Sequence, residues 1–152
     1  MRNLALLGVS AVVAALTGVS LAATPAPRPM ALWQKVQVLR TAHARMLESR
    51  AYQPGSRTVD AYTVDLANPL ANEAIRKAGG IAKMRRYPNG ALLVKENFNV
   101  HRRATGVTAM LKLSGYDLAA RNWILAAYTP AGKVIAYGKV PARIVCHATV
   151  SK

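Results

Sequence analysis

Tyr87-Pro88-Asn89-Gly90-Ala91-Leu92-Leu93-Val94-Lys95-Glu96-Asn97-Phe98-Asn99-Val100 reads as a turn opening directly into a strand. Pro88 presets one backbone dihedral, and Asn89-Gly90 tolerates the positive φ a tight reversal needs. From Ala91 to Val100 the side chains alternate. Leu92, Val94, Glu96, Phe98 and Val100 fall on one face, with Leu93, Lys95, Asn97 and Asn99 on the other. One face suits a core, and the other carries polar groups.

The flanking sequence repeats the theme. Thr58 to Asp65 is rich in β-branched and aromatic residues and predicts a strand. Asn68 suits a helix N-cap, Pro69 the first helical position, and Gly79-Gly80 the end of that helix. Val107 to Leu113 is a further strand, followed by a loop at Ser114-Gly115-Tyr116-Asp117. Asn122 to Tyr128 and Lys133 to Tyr137 form a hairpin around Thr129-Pro130-Ala131-Gly132. Gln53-Pro54-Gly55-Ser56 reads as a loop. Leu32 to Leu47 is ambiguous: Leu32, Val36, Leu39 and Met46 approximate a helical stripe, whereas Val36-Gln37-Val38 alternates like a strand. The expected fold class is α+β, mainly antiparallel sheet with a few flanking helices in one domain.

The first residues stand apart. Arg2 gives a positive start, Leu4 to Leu21 carries no charge, and Ser20-Leu21-Ala22 offers small residues at a signal-peptidase spacing. The expected organisation is a cleaved signal peptide at 1–22, a variable extension at 23–57 and the domain core at 58–152. Export to the periplasm follows. The stretch is also long enough to span a bilayer as an uncleaved anchor, but its Ala, Gly and Ser content makes it weakly hydrophobic for that role. Thr24 to Pro29 is a stiff, proline-rich leader.

Across 152 residues there are 21 basic and 6 acidic residues, a formal net charge of +15. Such a field favours acidic partners, anionic lipid surfaces or anionic small molecules. Nucleic acid is a poor candidate for an exported chain. With one cysteine, an internal disulfide is excluded, so packing must hold the fold.

That cysteine, Cys146, precedes one of only three histidines, His147, within Arg143-Ile144-Val145-Cys146-His147. Attachment of a c-type haem uses C-x-x-C-H, in which thiolates add to the porphyrin vinyl groups and the adjoining imidazole ligates iron. Here Arg143 stands in place of the first cysteine. Three readings are open: one thioether at Cys146 with His147 on the iron, non-covalent haem held by His147, or no haem. A nucleophilic Cys-His dyad is disfavoured, because adjacent side chains point apart.

Taken together, these segments resemble the cytochrome P-460 family, which includes the cytochromes called c-prime-beta. The likeness rests on three segments. They are Tyr62 through Lys77, Tyr87-Pro88-Asn89-Gly90 with Val94-Lys95-Glu96, and the series Gly115-Tyr116-Asp117, Asn122-Trp123, Gly132-Lys133, Gly138-Lys139-Val140 and Cys146-His147. It covers most of residues 59 to 147. The resemblance implies a periplasmic, largely antiparallel β protein, usually a homodimer, that holds one haem c. It assigns Cys146 as thioether, His147 as axial iron ligand and Lys95 as a haem contact or cross-link. In P-460 members proper the equivalent lysine is joined to the haem edge and the enzyme oxidises hydroxylamine, whereas c-prime-beta members bind gases such as nitric oxide.

The expected function is thus binding or redox processing of a small nitrogen species, with an acidic redox partner. The alternative is a haem-free exported module that binds an anionic partner through a basic surface. Lys95 has a bland reading too, as a solvated lysine on a polar face. Glu96, on the apolar face, needs either a cation such as Arg102 or Arg103 or an exposed strand edge. Phe98 is a core residue or a cap on a haem face. His43 and His101 show no ligand spacing for zinc. Lys83, Arg85 and Arg86, together with His101, Arg102 and Arg103, offer a candidate basic surface.

Overall fold

The computed structural model describes residues 25–139, apart from residues 51, 58 and 59. Its framework is a six-stranded antiparallel meander in which each strand pairs with the next, in the order β1-β2-β3-β4-β5-β6. The strands are β1 (Gln53–Arg57), β2 (Asp60–Ala67), β3 (Leu92–Phe98), β4 (Ala104–Lys112), β5 (Trp123–Tyr128) and β6 (Val134–Gly138). Helices α1 (Pro29–Thr41) and α2 (Pro69–Ala78) accompany them, with a 3-10 turn at Ile81–Lys83. The protein is α+β and mainly antiparallel sheet, as its alternating segments predict.

The ambiguous stretch resolves as helix only to Thr41. Pro29 occupies the first turn, where its missing N–H costs nothing. Leu32, Trp33, Val36 and Leu39 then make one buried stripe, and Val38 of the competing strand pattern is left exposed. That stripe lies on the sheet face formed by Leu66, Leu92, Val94, Val107, Ala109, Leu111, Ile124, Ala126 and Tyr128, giving the main core. Trp33 packs on Tyr128 with ring centroids 4.9 Å apart. The Tyr128 hydroxyl donates to the Pro29 carbonyl at 2.9 Å, and that of Tyr137 donates to Pro27.

Gln53 to Arg57 is a strand where the sequence reads as a loop. Proline is tolerated there because β1 lies at the end of the strand order, and its register breaks between Pro54 and Arg57. Turn chemistry elsewhere falls where the residues place it. Asn68 Oδ1 accepts from the Ala71 N–H at 3.0 Å as the α2 cap, and Gly79 closes the helix in the left-handed region at φ 76°.

Helix α2 meets the opposite sheet face. Ala67, Ala71 and Ala91 are buried there, with Met46, Tyr87, Leu93 and Trp123 packed against them. The small alanines allow close approach of helix and sheet. The second face therefore has an end covered by α2 and continues beyond it towards Lys95.

Candidate functional site

Lys95 sits at the middle of β3, the third of six strands. Its register partners are Asp65 on β2 and Thr108 on β4. Alternation places Thr63, Asp65 and Ala67, Leu93, Lys95 and Asn97, Gly106, Thr108 and Met110, and Leu125 and Ala127 on this one face. Ala136 continues it onto β6 opposite Ala127. This is the face turned away from α1.

A purely solvated polar face does not describe this surface. Thr63, Leu125 and Ala127 are 4%, 4% and 3% exposed, and Lys95 is half-buried. Leu125 and Ala127 are buried yet belong to neither cluster described above. Gly106, Ala127 and Ala136 keep the surface low next to Lys95. Sequence placed Lys95 here; Asp65 and Thr108 beside it depend on strand register, which no local pattern reveals.

Arg143, Cys146 and His147 lie outside the described residues, so the thioether and axial-ligand assignments are not addressed by these elements. Among the described residues no group of three or more His, Cys, Asp or Glu is placed to hold a metal ion. His43 lies just past α1, and His101 lies in the β3–β4 connection.

Glu96 faces α1, and neither Arg102 nor Arg103 satisfies it. Its Oε1 accepts from Arg40 Nε at 2.8 Å, with the two side chains 15% and 19% exposed respectively. Arg40 Nη1 also donates to Gln37 Oε1 at 2.6 Å and the Pro130 carbonyl at 3.1 Å. The exposed-edge explanation fails because β3 is an interior strand. Phe98 lies across from Tyr62, in an aromatic group with Tyr52 at 5.2 Å. The Arg102 guanidinium stacks over Tyr52 and Tyr62 at 4.8 and 5.8 Å. Phe98 is thus on the α1 side of the sheet, away from Lys95.

The basic surface divides in two. Lys83, Arg85 and Arg86 precede β3, whereas His101 to Arg103 follow it. A seven-residue strand, about 20 Å long, separates the groups. Beside the first group is an open groove of about 390 Å³ lined by Leu70, Glu73, Ala74, Lys77, Arg86, Tyr87 and Pro88. Lys112 and Trp123, register partners at that end of the sheet, also pair through the Lys112 amine, 5.0 Å from the indole centroid.

The chain matches no family model, and no curated protein matches it. No described helix is long and apolar enough to cross a membrane.

Proposed function

We propose that this chain is an exported cytochrome P-460-like haem protein that binds or redox-processes a small nitrogen species such as hydroxylamine or nitric oxide. The observation that carries the reading is the placement of Lys95. Lys95 is half-buried on an interior strand beside Gly106, Ala127 and Ala136, which supports a contacting role for its amine over that of a freely solvated lysine. The antiparallel framework supports it as well.

In this reading His147 would ligate the iron, Cys146 would form the sole thioether, and Lys95 would contact or cross-link the porphyrin. Haem supplies one-electron exchange and an open coordination position for the nitrogen ligand. Thr108 on β4 and Asp65 on β2 are the cross-strand neighbours of Lys95. Single attachment gives a haem less firmly tethered than two thioethers would. That favours gas binding or electron transfer over hydroxylamine oxidation, for which no described carboxylate is assigned as proton acceptor.

The test is a visible spectrum of the exported protein, reduced, with and without pyridine, after haem-sufficient expression. A haem spectrum that survives denaturation through Cys146 and is altered, with a fall in stability, in His147→Ala is the expected outcome. Colourless protein overturns the proposal and leaves the haem-free binding module. Arg143→Cys is complementary, since the added thiol should give a second thioether and a more firmly held haem.

A further inference from the structure

The β3–β4 connection is a closely bonded basic tip with an apolar apex. Asn99 Oδ1 accepts from the His101 and Arg103 N–H groups, both at 3.0 Å. The Asn99 carbonyl accepts from the Arg102 N–H at 2.9 Å, and the Asn99 N–H donates to the Arg103 carbonyl at 3.0 Å. Arg102 takes the left-handed region, at φ 56°, to close the reversal. Val100 is 69% exposed at the apex, and His101, Arg102 and Arg103 beside it are exposed as well. A lone exposed valine is ordinary. This one is held away from the core by the bonds of a single asparagine, next to two arginines.

An aromatic group braces the base of the tip. Tyr52, itself exposed, meets Phe98 and Tyr62 with ring centroids 5.2 and 6.4 Å away, and the Arg102 guanidinium lies over both tyrosines. Stacking engages the face of a guanidinium and leaves the N–H donors in its plane for other acceptors. Among the described residues Arg103 bonds through its backbone, which leaves its side chain to solvent. The β5–β6 turn reaches the same end of the sheet and adds exposed Lys133. Arg57 and Asp60, register partners at that end, add no net charge. Glu48, Glu96 and Asp117 are bonded elsewhere, to Ile81, Arg40 and Lys139.

We infer that this end of the sheet docks on an anionic phospholipid surface, with Val100 entering the headgroup layer and Arg102, Arg103 and Lys133 meeting lipid phosphates. Shape decides between a membrane and an acidic protein. A stable protein interface takes about 800 Å² from each partner, more than a narrow convex tip offers. Fluid headgroups close around such a tip, so its apolar apex and its cations are satisfied together. Tyrosine suits that level too, with an apolar ring and a wet hydroxyl. The tip is ordered before it docks, which keeps the entropic cost of binding low. The inference stands apart from the haem reading and uses none of its residues.

Cosedimentation of the exported chain with vesicles tests it, using phosphatidylglycerol mixed with phosphatidylethanolamine in one arm and phosphatidylcholine alone in the other. Binding to the anionic vesicles only is expected. Arg103→Gln should weaken it by about fivefold, the factor for one basic side chain at an anionic surface. Val100→Asn should weaken it as well. Arg85→Gln, which removes an exposed charge before β3 at the opposite end of the sheet, should weaken it much less. In Val100→Trp, tryptophan emission should shift to the blue on anionic vesicles relative to the parent, a readout of apex entry whatever else in the chain touches lipid. Equal losses for Arg103→Gln and Arg85→Gln, or an unshifted emission, overturn the inference. So does tighter binding to soluble polyglutamate than to vesicles, which assigns the tip to an acidic protein.

Discussion

Arg40 joins three parts of the chain through one guanidinium group, contacting Glu96 on β3, Gln37 on its own helix and the Pro130 carbonyl in the β5–β6 turn. It also lies over the Trp33 ring at 5.3 Å. The partly buried pair is costly to break one side at a time, since the remaining charge keeps its desolvation penalty. Glu96→Ala should lower unfolding free energy by about 2 kcal/mol in urea, below the usual cost for a fully buried pair because Arg40 keeps two other acceptors. Adding Arg40→Met should cost less than the sum of the two single changes, and simple additivity would show that the pair is not coupled. Tyr128 gives a pH prediction at the same scale. Burial, with a smaller effect of Tyr137, pushes its phenol up to about 12 from an ordinary value of 10.0. The folded state therefore favours the neutral phenol. Its contribution to stability is complete below about pH 10 and is lost as pH rises through about 12. Phenolate absorbance should show this group ionising last, and the urea midpoint should fall across that window. A midpoint constant from about pH 10 to about 12 would contradict the assignment.

Among the elements, α2 shows how much one side chain can organise. Asn68 caps the helix, accepts a second bond from the Leu92 N–H at 3.1 Å and donates to the Gly90 carbonyl at 2.9 Å. It ties the helix start to the entrance of β3. Asn68→Ala should cost about 2 kcal/mol, the upper end for a lost cap, because the links to Leu92 and Gly90 go with it. Asn68→Asp keeps the acceptor, loses only the donor and should lie between, as chemical denaturation would report. This cap was legible in sequence because capping and turn chemistry are local. The turn at Asn89-Gly90 was legible for the same reason, but the bond that Asn89 Oδ1 accepts from the Ser114 N–H, 25 residues on, was not, nor was the one Asn122 Oδ1 accepts from the Asp117 N–H. Several residues that carry the family resemblance therefore do structural work here, and they report fold more directly than chemistry. Non-local features were hidden. Nothing near Glu96 in sequence identifies Arg40, 56 residues away, as its partner. Pro54 and Gly55 concealed β1, since an edge position and a broken register excuse what local propensity forbids.

For the whole molecule, electrostatics works against compactness. The chain carries 21 basic and 6 acidic residues, so cations outnumber the carboxylates that could neutralise them by 15. Among the described residues the attractive pairs are few: Arg40–Glu96 is largely shielded from solvent, Lys139–Asp117 joins an exposed amine to a mostly buried carboxylate at 3.6 Å, and Arg76–Glu73 and Lys77–Glu73 are exposed pairs within α2. Exposed pairs of that kind contribute about 0.2–0.5 kcal/mol each, so screening them removes little. Repulsion spread over the surface is long-ranged and responds to salt across the molecule. Raising sodium chloride from about 0.01 M to 0.15 M shortens the Debye length from about 30 Å to about 8 Å. Charges on opposite sides of the sheet interact at the first and barely at the second. Relief of repulsion should win, and Tm should rise by about 4 °C, corresponding to ~1–2 kcal/mol for a domain of this size. A fall in Tm would mean that ion pairs dominate after all.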